Sequence, residues 1–101
     1  PLDDGAARAL PQLSEWTVQD GSISREFRLR SFAVIADFVR DVISTSDRLD
    51  HHPDIEIHYK RVVLSYSTHS EGGVTAKDID GAAMANAVAA SLPHLEEFGD
   101  G

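Results

Sequence analysis

Apolar residues recur at every second position in some stretches of this chain and at every third or fourth in others. Each period belongs to one kind of element. From Ser22 to Arg30, Ile23, Phe27 and Leu29 share one parity, and Ser24, Glu26, Arg28 and Arg30 share the other. That alternation predicts a half-buried strand. The residues from Trp16 to Asp20 offer a second, shorter strand, and Asp20-Gly21 is a turn signal between the two, so a hairpin is expected. From Ser31 the period lengthens. Phe32, Ile35, Val39, Val42 and Ile43 recur at helical spacing, with Asp37, Arg40 and Asp41 largely opposite. This predicts a helix to about Leu49, and Pro53 prevents its continuation. Alternation then returns. Ile55, Ile57 and Tyr59 oppose Glu56 and His58, and Val62, Leu64 and Tyr66 oppose Val63, Ser65 and Ser67. The short break near Lys60 predicts a second hairpin, although lysine is a poor turn residue.

The two ends read as helices. Leu2 to Leu13 is rich in Ala and Leu, with Pro11 near its end. Gly72-Gly73 forms a loop, Thr75 and Asp78 make the T-x-x-D pattern of a helix start, and Ile79 to Leu92 is dominated by alanine, with Pro93 closing it. The order is α-β-β-α-β-β-α. The simplest architecture is α+β, a four-stranded antiparallel sheet with three helices on one face. No internal repeat, low-complexity tract or linker interrupts residues 1–101, so one domain is expected.

Composition narrows the function classes. Nine Lys and Arg face 17 Asp and Glu, for a formal net charge of -8. Polyanion binding requires clustered cations, so neither nucleic acid nor an anionic membrane surface is an expected partner. Cysteine is absent, which removes disulfides, thiolate metal sites and thiol nucleophiles, and fits a reducing cytoplasm. No stretch reads as a membrane span, and Pro1-Leu2-Asp3-Asp4 does not read as a signal peptide. A chain of 101 residues buries a modest share of its surface, so self-association would cover more apolar area.

The candidate chemistry is histidine chemistry. Histidines occupy positions 51, 52, 58, 69 and 94. His51-His52-Pro53 follows the long helix, and His69 falls just past the second hairpin. If the hairpin folds back, three imidazoles converge near the helix exit, and Asp47, one turn before His51, can face the same way. Imidazole titrates near neutral pH, and such a cluster suits proton transfer. Each residue also has a plain structural reading. By spacing alone the His-His-Pro run fits a polar loop at least as well as a catalytic one. Asp78 can simply cap a helix, Trp16 can be core, Lys77 a solvated charge, and His58 and His94 surface residues. The alanine-rich helix can be a close-packed interface. A zinc or iron site ranks below proton transfer, because no H-E-x-x-H or i,i+4 histidine pair is present. A serine triad ranks lower still without a G-x-S-x-G elbow.

Taken together, Asp47, His51-His52-Pro53-Asp54, Tyr59, Thr68-His69, Gly73, Thr75 and Asp78 resemble, in their spacing, the signature of the pterin-4a-carbinolamine dehydratases. Trp16, the Phe27 strand and the Phe32 helix look like the family's upstream half, so the resemblance covers nearly the whole chain. It implies the same four-stranded sheet with three helices, a homodimer or homotetramer, and a cytoplasmic enzyme of pterin recycling. The implied reaction dehydrates a 4a-hydroxytetrahydropterin to the quinonoid dihydropterin without metal or redox cofactor. By the same resemblance, His52 chiefly binds the pterin, with Pro53, Asp54 and Thr68 around it. His51 and His69 act as general acids on the 4a-hydroxyl, one for each face. Asp47 orients or assists, and Lys77 and Asp78 sit at the rim. Two positions depart from the family's habit: Ile55 where Trp is frequent, and Lys60 where Asn is frequent. The resemblance also carries a second reading, since some relatives act as dimerisation cofactors of a homeodomain transcription factor and others resemble assembly chaperones of the carbon-fixing carboxylase. A metal-binding stress protein is a third reading.

Overall fold

A computed structural model describes residues 1–92, so Pro93 and His94 lie outside the described residues. Helix α1 spans Asp4–Arg8, strand β1 Thr17–Gln19, β2 Ser22–Arg28, helix α2 Phe32–Leu49, β3 Asp54–His58, β4 Arg61–Ser67 and helix α3 Ala76–Ser91. The strands form one antiparallel sheet in the order β1-β2-β4-β3. The α-β-β-α-β-β-α order read from periodicity is therefore the order of the fold.

The parity predicted for each strand decides its faces. Val18, Ile23, Phe27, Val62, Leu64 and Tyr66 are buried, while Glu26 and Arg28 lie exposed and Ser65 and Ser67 half-buried on the other parity. Val34, Ile35, Phe38 and Val42 of α2 complete the core, with the Phe27 and Phe38 rings 4.9 Å apart. Helix α3 contributes small buried residues, Gly81, Ala82, Ala85 and Ala89, and packs against α2. Asn86 on α3 clamps the edge of this layer. Its Oδ1 accepts from Trp16 Nε1 at 2.9 Å and Arg25 Nη1 at 2.7 Å, and its Nδ2 donates to the Gln12 carbonyl at 2.9 Å.

Two local expectations are corrected. The helix expected over Leu2–Leu13 is broken. Asp3 caps α1 by accepting from Ala6 N–H, Leu10 is extended ahead of Pro11, and only a single 3-10 turn, Pro11–Leu13, follows. The residue before proline is pushed out of the helical region, which is why the run cannot continue. Leu2 instead pairs with Val74. In the second hairpin the turn begins one residue early. Tyr59 takes φ 53°, so the left-handed position falls on Tyr59 and not on Lys60. In the first hairpin both Asp20 and Gly21 have positive φ, as a two-residue turn matched to strand twist requires. Asp4 holds that turn through the Asp20 and Gly21 N–H groups at 2.9 and 3.0 Å.

Candidate active site

The site begins where α2 stops. Ser31 caps the start of α2 by accepting from Val34 N–H. At its other end Asp50 adopts the left-handed conformation, φ 54° and ψ 42°. Its N–H reaches the Asp47 carbonyl, and the His51 N–H reaches the Ser46 carbonyl, both at 3.2 Å. This closure satisfies the last carbonyls and reverses the chain. It delivers His51 toward the core and His52 toward solvent.

His51 is the most enclosed of the described imidazoles in an ion pair, its side chain 13% exposed. Its Nε2 lies 2.6 Å from Asp78 Oδ1. Its ring stacks on Tyr66, with centroids 5.9 Å apart and planes 20° apart. Asp78 is fully buried at the third position of α3. A buried carboxylate must be saturated with donors, and this one is. Thr75 N–H donates to Oδ2 at 3.0 Å, and Thr68 Oγ1 stands 3.1 Å from both oxygens. One carboxylate thus caps α3 and holds His51. Because a carboxylate accepts, the network assigns the hydrogen to Nε2 of His51 and leaves Nδ1 as the nitrogen open to another molecule. Beneath the imidazole, burial pushes the Tyr66 hydroxyl above the ordinary tyrosine value of 10.0, and a hydrogen bond with Ser46 partly offsets this.

His52 and His69 have partners of their own. His52 Nε2 meets Asp47 Oδ1 at 3.0 Å, with both side chains more than half exposed. Such a pair orients a ring and adds little stability. His69 opens a single 3-10 turn, and its Nε2 lies 3.1 Å from Ser67 Oγ. Ser67 lies on the half-buried parity of β4, so the His69 ring is held at the end of that strand. The end of the second hairpin does approach the exit of α2, since Asp78 bonds both Thr68 and His51. Each of the three imidazoles expected to converge has its own polar partner: Asp78 for His51, Asp47 for His52 and Ser67 for His69. A cleft of about 660 Å³ is lined by Thr68, Glu71, Thr75 and Lys77 among others. A smaller one, about 170 Å³, is lined by Thr68 and His69 against the turn at Asp20 and Gly21. Thr68 belongs to both, and His51 and His52 line neither.

Asp78 also differs from its expected place at the rim. It is enclosed, because capping α3 carries its side chain inward, and it can act on a bound molecule only through His51 or Thr68. Lys77, its neighbour, does face a cleft. Pro53 is half-buried, and Asp54 opens β3 opposite Ser65, on the outer parity. Ile55 packs against the core edge. Among the described residues, no three His, Asp or Glu side chains are grouped to hold one ion. The residue that sequence reasoning missed is Tyr66, read there only as strand core. Its signal is a polar-tipped aromatic on the inner parity two residues before Thr68-His69.

Comparison with known proteins follows the same lines. The family model described as pterin 4 alpha carbinolamine dehydratase matches residues 1–88. A Sulfolobus acidocaldarius protein, provisionally named pterin-4-alpha-carbinolamine dehydratase, is 40% identical over 81 residues, covering 80% of this chain and 89% of its own. A Mycobacterium avium protein of the same provisional name is 39% identical over 89 residues, covering 88% and 95%. Among solved structures, one described as a transcriptional coactivator/pterin dehydratase from Brucella melitensis superposes with a TM-score of 0.77 at 33% identity. It covers 87% of this chain and 96% of that one.

Proposed function

From the premise that this chain belongs to the pterin 4 alpha carbinolamine dehydratase family, we propose that it dehydrates a 4a-hydroxytetrahydropterin by histidine general acid–base catalysis. The observation that carries this reading is the 2.6 Å contact between His51 and the buried Asp78. A saturated, enclosed carboxylate fixes the tautomer of an imidazole, and such an imidazole can accept or deliver a proton at one defined atom. Here that atom is Nδ1.

The reaction requires little else. The 4a-hydroxyl is a poor leaving group until protonated. A protonated imidazole donates to it, the C4a–O bond breaks with the electron pair leaving as water, and the N5 lone pair closes the C4a–N5 double bond. N5 then gives up its proton to a base, so one proton is delivered and one recovered. Placed acids and bases contribute about 10²- to 10⁴-fold to such a step. His51 serves one face of the pterin through Nδ1. His69, exposed on its short turn, serves the other after its ring swings from Ser67. Side-chain rotation at exposed positions is fast compared with turnover. His52, oriented by Asp47, binds the pterin with Pro53, Asp54, Thr68 and Lys77. Proton transfer suffices for this chemistry, so neither a metal nor a redox cofactor is invoked. The proposed setting is pterin recycling in the cytoplasm, with the chain working as a homo-oligomer.

The test is carbinolamine decay followed by absorbance, with the wild type against buffer and against His51→Ala, His52→Ala and His69→Ala. The wild type accelerates decay, each variant loses most of the acceleration, and a chelator changes nothing. A wild type no faster than buffer sinks the reading and leaves a protein-binding role in its place.

A further inference from the structure

Tyr66 and Gly81 form a pairing that the proposed chemistry has not used. Tyr66 comes from β4 with its side chain on the buried face, and the residue is 2% exposed. Gly81 lies inside α3, where glycine costs roughly 1 kcal/mol relative to alanine. The rest of the buried small face of α3 is alanine. A Cβ at position 81 would stand 2.5 Å from Tyr66 Cε1 and 2.8 Å from Cζ, closer than real atoms approach. Glycine at this point is what lets the Tyr66 ring occupy its place against α3.

The same ring faces His51. A hydrogen bond from Nε2 to Asp78 fixes a point on the imidazole and leaves its plane free to turn about that point. A near-parallel aromatic face, 20° from the imidazole plane, removes that freedom. Ser46 binds both partners: its side chain hydrogen-bonds the Tyr66 hydroxyl, and its carbonyl accepts the His51 N–H at 3.2 Å. Trp16 closes on Tyr66 from elsewhere, with centroids 5.9 Å apart. Tyr66 is thus held by α2, α3 and Trp16 while lying against the one imidazole whose open nitrogen matters.

We propose that Tyr66, admitted by Gly81, is a positioning residue for His51: its ring fixes the imidazole plane so that Nε2 stays on Asp78 and Nδ1 is presented in one direction. This deepens the dehydratase reading and rests on it for its consequence in turnover, though the positioning itself is readable without substrate. A displacement of about 1 Å at a reacting group can cost on the order of 10²-fold, so loss of the platform lowers kcat more than KM.

The experiment is side-chain ¹⁵N NMR of His51, with steady-state kinetics and thermal unfolding, in the wild type, Tyr66→Phe, Tyr66→Met, Gly81→Ala and the double variant Gly81→Ala with Tyr66→Met. Tyr66→Phe keeps a ring face and retains a single Nε2–H tautomer. Tyr66→Met keeps volume but has no face; its His51 signals become a mixture of tautomers, and kcat falls on the order of tenfold. In the double variant the flexible Met yields to the new methyl and melting recovers relative to Gly81→Ala, yet the tautomer mixture and low kcat persist. That separation of stability from His51 geometry is what plain core packing would not give. A single tautomer in Tyr66→Met and in the double variant, or kcat following melting temperature across the set, overturns the proposal. If the wild type lacks dehydratase activity, the functional reading falls, and the NMR result still decides the role of Tyr66.

Discussion

At the scale of single residues, Asp78 is the group on which most depends. Its oxygens meet the backbone of Thr75, the hydroxyl of Thr68 and the imidazole of His51. Asp78→Asn keeps the shape but replaces one acceptor by a donor, so His51 must change tautomer or lose its partner. Expected is a fall in kcat of about 10²-fold or more, by analogy with Asp→Asn changes behind catalytic histidines elsewhere, and a stability loss of about 1–3 kcal/mol from misplaced buried polar groups. Steady-state kinetics and urea unfolding check both, and an unchanged kcat would show that His51 does not act through Asp78. Tyr66 gives a pH prediction. Burial raises its folded value above 10.0, so the neutral phenol's contribution is complete below about pH 10 and is lost as pH rises through the folded value. Stability of the wild type should therefore decline more steeply with alkaline pH than that of Tyr66→Phe, measured by urea unfolding across that range. That His51, His52 and Pro53 follow the long helix and that Thr68 and His69 follow the second hairpin was legible from their order. That Asp78 is both cap and imidazole partner was not, because a T-x-x-D box has the same spacing whether or not a ring approaches its carboxylate.

At the scale of elements, the exit of α2 governs the site. Asp50 holds the left-handed conformation that turns His51 inward. Aspartate tolerates it, whereas a β-branched residue does so poorly. Asp50→Val is expected to lower stability by about 1–2 kcal/mol and to reduce kcat, whereas Asp50→Gly leaves stability unchanged or slightly raised. Urea midpoints read the first effect and the dehydration assay the second. A wild-type urea midpoint for Asp50→Val would show that the left-handed cap carries no such strain. Elements were read well wherever a local period or cap specified them: α2, β2, β4 and the capping box of α3 fall where alternation, helical spacing and Thr75-x-x-Asp78 predict. The N-terminal helix failed because Pro11 acts on Leu10 before it, and Leu2 found a partner, Val74, far along the chain.

At the scale of the whole molecule, Phe32, Ile43, Ile57 and Tyr59 remain exposed, with Phe32 and Tyr59 in ring contact at 6.4 Å. Surface of this kind on a small chain is expected to be covered by further copies. Light scattering should give a multiple of the chain mass, and Ile43→Asp should shift it toward the monomer with little change in the far-ultraviolet spectrum; a monomeric wild type would contradict this. What the sequence determined by itself is everything set by neighbours in the chain: which face of each strand is apolar, where helices are capped, where turns form, and which family's spacing the polar residues follow. What only the tertiary structure decided is which of those residues meet. His51 reaches Asp78 across 27 positions, Tyr66 lies against it because Gly81 leaves room, and His69 pairs with Ser67 at the end of β4. Periodicity fixes the direction of a side chain within its own element, whereas contacts between elements depend on how they dock, which burial of the whole core decides.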